Sequence, residues 1–196
     1  MTMPRAEDWR RRGGHFSWRP AADDAEPVEI FHVELGDPGA AVLLLIHGWP
    51  TSSIDWYDVA GQLSDSFRVC ALDFPGYGFS GKPRGWGYSL GRDAELIEFY
   101  LAEVLGAGAS VMVAHDRGDS VALVHAARCA DGRPATRIEH LVLSNGNIFL
   151  PLSNLTRAQR QVPGAQSWSQ VAAAVTPAVL AAGLGATTFT PPRRPG

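Results

Sequence analysis

Cysteine is scarce in this chain, charge is nearly balanced, and no apolar stretch is long. The two cysteines, Cys70 and Cys129, fall in a strand-like and a helix-like stretch with no metal-ligand spacing. That excludes a cysteine-built metal site, and both thiols are expected to pack as small buried apolar side chains in a reducing compartment. A formal net charge of -3 offers neither a basic face for nucleic acid nor a strongly acidic tail. Arg10, Arg11 and Arg12 form a basic cluster, but it is short and mixed with Trp9 and glycines, so it reads as part of a solvated leader. The longest apolar run, residues 40–46, is far too short to span a membrane. The charged, polar start does not read as a signal peptide, so the expected location is the cytoplasm. The sequon Asn154-Leu155-Thr156 carries no weight without a secretory signal.

What is present suffices for a core: 45% of the 196 residues are hydrophobic, and the length suits one domain. Residues 1–27 read as a polar leader with one short edge strand near Phe16-Ser17-Trp18. Residues 28–35 alternate apolar and polar, the pattern of a half-exposed strand. Gly36-Asp37-Pro38-Gly39 has strong turn chemistry and is expected to close a hairpin onto the strand 42–46, whose unbroken apolar run suits cover on both faces. A helix over about 54–63, a strand at 67–72 and an ordered Gly/Pro-rich loop at 76–87 follow. Then Leu90, Ala94, Ile97, Leu101 and Val104 mark one face of a helix, with Arg92, Glu95 and Glu98 turned elsewhere. A strand ending at His115, a helix to about Ala130 and a strand at 138–143 complete the alternation. Strands alternating with helices imply an α/β fold, with a mostly parallel sheet, helices on both faces and an antiparallel hairpin at one edge. From residue 147 the strand signal fades, and weak helical stretches near 157–161 and 177–182 read as the start of a lid. The expected division is a leader at 1–27, a core at 28–146 and an incomplete lid at 147–196.

The chemistry-bearing motifs sit at strand ends. Ala114-His115-Asp116-Arg117-Gly118 has the layout of a nucleophile elbow, where small flanking residues permit a tight strand-to-helix reversal. Asp116 occupies the place usually held by serine, and no Gly-x-Ser-x-Gly occurs, which argues against an ordinary serine esterase. Taken alone, Asp116 would be a helix N-cap, a common role for aspartate. His47-Gly48-Trp49-Pro50 leaves the carboxyl end of a buried strand, where open α/β sheets place their ligands. Taken alone, it would be an ordinary turn with a buried histidine. Beside the elbow, the backbone N–H groups of Trp49 and Arg117 could converge on one oxygen as an oxyanion hole. Gly48 would let the backbone bend, and the Trp49-Pro50 bond is expected to be cis. Gly76-Tyr77-Gly78-Phe79-Ser80-Gly81 matches the dinucleotide-binding glycine pattern, but Lys82-Pro83 follows where a helix should start. It reads as a loop packed beside the site, and no cofactor is expected. Arg117-Gly118-Asp119 is a cell-adhesion tripeptide by letter only, expected inside the elbow.

His47-Gly48-Trp49-Pro50, Asp73-Phe74-Pro75-Gly76-Tyr77-Gly78-Phe79-Ser80 and His115-Asp116-Arg117-Gly118 together resemble, in order and spacing, the α/β-hydrolases of the epoxide hydrolase and haloalkane or haloacid dehalogenase branch. The resemblance covers roughly residues 28–190. It implies the α/β-hydrolase fold, a small-molecule substrate (an epoxide or organohalide) and Asp116 as the nucleophile. The Asp116 carboxylate would attack an sp³ carbon to give an enzyme ester, which a histidine-activated water would hydrolyse at the Asp116 carbonyl. Trp49 and Arg117 would supply the oxyanion hole, with His47, Gly48, Pro50, His115 and Gly118 in support.

Departures matter as much. Trp49 and Arg117 stand where haloalkane dehalogenases carry Asn and Trp. His-Asp-Arg-Gly resembles haloacetate dehalogenases, whose second carboxylate-binding arginine would fall at Ser120. Trp49 suits epoxide hydrolases best. Asp119 replaces the usual small residue and is expected to crowd the elbow or cap the helix. In this branch an acid and the base histidine come from strands beyond the lid. Here all six histidines lie at or before position 140, and Asn145 and Asn147 stand where an acid after the sixth strand would be needed. The chain therefore reads as a truncated member, with the last strands of the sheet missing, expected to form an ester slowly, if at all, and not to turn over. The competing reading is a non-enzymatic pseudo-hydrolase that binds a small apolar ligand or a partner.

Overall fold

The computed structural model describes residues 4–21, 26–133, 136–146 and 178. The chain divides into two compact units, 1–150 and 151–196. The expected lid at 147–196 lies outside the described residues, except for the helical residue Ala178.

In the first unit the elements are α1 (Pro4–Arg12), β1 (Gly13–Trp18), β2 (Val28–Leu35), β3 (Val42–Ile46), a 3₁₀ turn (Ser53–Trp56) running into α2 (Tyr57–Leu63), β4 (Arg68–Leu72), α3 (Leu90–Phe99) with a π-helical last turn (Tyr100–Val104), β5 (Ala109–His115), α4 (Arg117–Ala130) and β6 (Arg137–Ser144). The strands form one sheet in the order β1-β2-β4-β3-β5-β6. β1, β2 and β4 pair antiparallel, and β4, β3, β5 and β6 pair parallel. All five residues of β3 are buried, as its apolar run implies for the middle of a parallel sheet.

Alternation along the strands divides the core into two layers. Val42, Leu44 and Ile46 of β3 face a cluster with Ala94, Ile97 and Leu101 of α3 and its last turn and Val121 and Ala122 of α4. Leu43 and Leu45 face the other way, toward Trp9 of α1, Phe31, Val33 and Ala60 of α2. Helices thus cover both faces, and the carboxyl ends of β3 and β5 emerge side by side. No described helix is long and apolar enough to cross a membrane.

The structure corrects several expectations. β2 and β3 are not a hairpin, because β4 lies between them. The turn at 36–39 instead runs against the α2–β4 connection, where a Cβ on Gly36 would meet the Phe67 carbonyl oxygen at 2.3 Å. β2 is buried on both faces rather than half-exposed, since Val28 and Ile30 enter one layer and Phe31 and Val33 the other. Residues 4–18 form a helix and a strand rather than a loose leader, although Arg10, Arg11 and Arg12 are exposed as expected. Trp9 is 1% exposed and donates its indole N–H to Ser53 Oγ at 3.0 Å, so one aromatic fastens an otherwise polar helix to the sheet. Arg11 and Arg12 pair with Asp8, and Arg12 also lies over the Tyr57 ring. Glu98 is turned inward to α4, where Arg128 holds it. Cys70 is buried as expected, but Cys129 is only half-buried.

Candidate active site

The turn between β5 and α4 is sterically exacting. Asp116 has φ 53°, a left-handed conformation that non-glycine residues adopt rarely and at a cost. The neighbours leave little room: a Cβ on Gly118 would sit 2.7 Å from the carbonyl oxygens of Ile46 and His47, and Ala114 is wholly buried. The backbone N–H of Asp116 donates to Ser144 O at 3.0 Å, tying the turn to the end of β6. Asp116 precedes the first residue of α4 but makes no side-chain cap hydrogen bond. Its Oδ1 instead accepts the Trp49 backbone N–H at 2.8 Å, reaching across from the β3 turn. The structure therefore brings Asp116 and Trp49 together, and the N-cap role does not apply.

The β3 turn is shaped for this approach. The Trp49-Pro50 bond is cis, as expected. Gly48 has no left-handed φ; what it supplies is space, because a Cβ there would lie 2.6 Å from Asp116 Cβ and 3.0 Å from His115 O. His47 is 1% exposed, with Nδ1 2.8 Å from Gly48 O and Nε2 accepting the Phe74 N–H at 3.1 Å. Both ring nitrogens are occupied, and burial pulls its pKa below 6.5. A neutral ring committed to backbone groups braces the turn and is not free to take a proton from water.

The other expected residues point elsewhere. His115 Nε2 lies 3.4 Å from Asp55 Oδ2, with its ring against Trp56. The Asp55 hydrogen bond raises the His115 pKa above 6.5. The Arg117 guanidinium pairs with Asp93 Oδ2 and lies over the rings of Phe74 and Tyr77, with centroids 5.7 and 5.6 Å away. Asp119 is 1% exposed, and its Oδ1 accepts the Ser144 N–H at 3.3 Å, so it stitches α4 to the end of β6. Its carboxyl is raised by burial.

The segment from Asp73 to Ser80 is a clasp. Asp73, fully buried, accepts the Ser53 and Phe79 backbone N–H groups, each at 2.7 Å. Ser80 donates to Asp73 O at 2.6 Å and accepts from Phe31 N at 2.9 Å. Gly78 is required, since a Cβ would lie 1.9 Å from Asp73 Oδ2. Sequence reasoning passed over the partners Asp55 and Asp93. Asp93 carried a readable signal: it sits beside Ala94 on the apolar face of α3, three residues after Leu90, where an aspartate demands a partner.

A six-stranded mixed sheet with such an elbow defines an α/β-hydrolase architecture. The chain belongs to the alpha/beta hydrolase fold family, whose model matches residues 41–186. It is 38% identical over 160 residues to LipZ of Mycobacterium tuberculosis, covering 82% of this chain and 52% of that protein. It is also similar to epoxide hydrolase A of that organism, at 37% identity over 114 residues, covering 55% of this chain and 35% of the relative. Among solved structures it resembles one from a study of novel epoxide hydrolases in metagenomes from hot environments. That match has a TM-score of 0.61 and 27% identity, and covers 80% of this chain and 52% of the other. The chain spans about half the length of the curated relatives it matches.

Proposed function

We propose that this chain carries the ester-forming half of an epoxide hydrolase-type reaction on a small molecule, with Asp116 as the nucleophile. The observation that carries the reading is the Trp49 N–H to Asp116 Oδ1 hydrogen bond of 2.8 Å. On this reading the two carboxylate oxygens have different tasks. Oδ2 attacks a ring carbon of the epoxide, the carbon–oxygen bond breaks, and the ring oxygen takes a proton from water. Oδ1 remains at the Trp49 amide, where it would carry the negative charge when water later adds to the ester carbonyl. The Arg117 N–H, at the start of α4, is the second proposed donor, and the helix terminus favours negative charge there. An aspartate suits this chemistry because its alkyl ester can be cleaved by water, whereas serine would give an inert ether.

Hydrolysis of that ester needs a base. His47 is bound to backbone groups, and the His115 ring is turned against Trp56 with Asp55 favouring its protonated form, which cannot accept a proton. His125 is fully buried within α4, His32 bonds Tyr100, His15 Nε2 lies 3.3 Å from Phe79 O, and His140 is exposed on β6 opposite Val111, well before the Asp116 end of the sheet. The chain by itself is therefore expected to stall as the ester. Incubation with a terminal epoxide followed by intact mass and peptide mapping tests this. One adduct mass on Asp116 is expected, absent in Asp116→Asn. Multiple turnovers by the 196 residues would refute the missing base, and no adduct would refute the nucleophile.

A further inference from the structure

An arginine directly after a nucleophile would ordinarily draw anionic substrates to it. Here the guanidinium already has an internal partner. Arg117, whose side chain is 22% exposed, donates one N–H to Asp93, which is 5% exposed, and its guanidinium lies over the rings of Phe74 and Tyr77. A guanidinium is a rigid fork, and a buried carboxylate that holds one of its N–H groups offsets its charge and fixes its direction. The charges coupled to this corner are Asp93, Asp119 and Asp55 beside Asp116, against Arg117 and His115. At formal charges the corner is net negative whether or not His115 is protonated.

We propose that the Arg117–Asp93 pair is a specificity device: by engaging the guanidinium beside Asp116 internally, it makes this site select neutral electrophiles and turn away those bearing a carboxylate. The proposal deepens the reading of Asp116 as nucleophile and rests on it. It assigns Asp93 as a specificity-determining residue that acts through Arg117 without touching substrate.

The test compares acetate with its neutral analogue acetamide, by titrating the amide resonances of Trp49 and Asp116 in the whole chain. In the wild type acetate should bind no more tightly than acetamide. In Asp93→Asn, which frees the guanidinium, acetate should tighten relative to acetamide by about tenfold, the scale of one charge-assisted pair. If Asp93→Asn does not fold, the charge-neutral double variant Asp93→Asn/Arg117→Gln decides: its ratio should match the wild type. A wild type that prefers acetate, a folded Asp93→Asn with an unchanged ratio, or a double variant with weakened acetate binding would each overturn the proposal. A second readout is covalent. Chloroacetate would alkylate an Asp116 oxygen with loss of chloride, and its adduct should form in Asp93→Asn but not in the wild type, which should react with the neutral epoxide only. Failure of every adduct would sink the nucleophile reading, while the acetate-to-acetamide ratio would still judge the role of Asp93.

Discussion

At the scale of single residues, the site depends on atoms that are absent as much as on those present. Gly48 and Gly118 let two backbone turns close on Asp116, and a methyl group at either would collide with backbone or with the carboxylate. Gly48→Ala is expected to cost about 1–3 kcal/mol through overpacking and to lengthen the Trp49 contact. Urea denaturation measures the first effect, and loss of the Asp116 adduct with fold retained measures the second. Asp73 illustrates the opposite case, a buried carboxylate held by two backbone N–H groups. Asp73→Ala leaves both donors unpaired in the interior, a loss of about 3 kcal/mol or more. Its expected signature is a lower denaturation midpoint together with loosened amide exchange at Ser53 and Phe79.

At the scale of elements, periodicity was readable wherever one chain segment met one environment. The apolar run of β3 and the stripe of α3 appear in the structure as expected. α1 was not legible, because eight of its nine residues are arginine, aspartate, glutamate, proline or alanine and its docking rests on one tryptophan. Trp9→Ala should therefore cost about 3–5 kcal/mol, the range for truncating a buried aromatic, and should release α1 from the sheet. Hydrogen exchange restricted to residues 4–18 would register that release; unchanged protection there would contradict it. The β2–β3 turn misled for a related reason. Turn chemistry specifies that the chain reverses, but the strand that fills the neighbouring slot is decided by the whole sheet.

At the scale of the whole molecule, histidine burial sets an acid limit. Burial holds His47, His125 and His32 below the ordinary 6.5, while the Asp55 hydrogen bond lifts His115 above it. A histidine lowered by folding stays neutral in the native state while the unfolded chain takes up its proton. Its contribution is thus present above 6.5 and lost as pH falls toward the lowered value. His115 behaves oppositely, contributing below 6.5 and losing that contribution as pH rises through its raised value. Two buried rings and the partly buried His32 outweigh one half-buried pair, so Tm is expected to fall as pH is lowered from about 7 to about 5. Thermal melts across that range check it; a Tm that climbed on acidification would mean that the His115–Asp55 pair dominates.

The residues alone determined the local chemistry: a tight elbow with aspartate at its tip, a second turn from a neighbouring strand, and a core alternating between two faces. These follow from sterics and periodicity within short stretches, which neighbouring residues encode directly. Tertiary structure alone decided the pairings, namely Asp93 with Arg117, Asp55 with His115 and Trp9 with Ser53. Partners tens of residues apart meet only once the sheet order and helix packing are set. Burial then makes the Asp93 and Trp9 partnerships obligatory, since a charge or donor left alone in the interior would have no water to answer it.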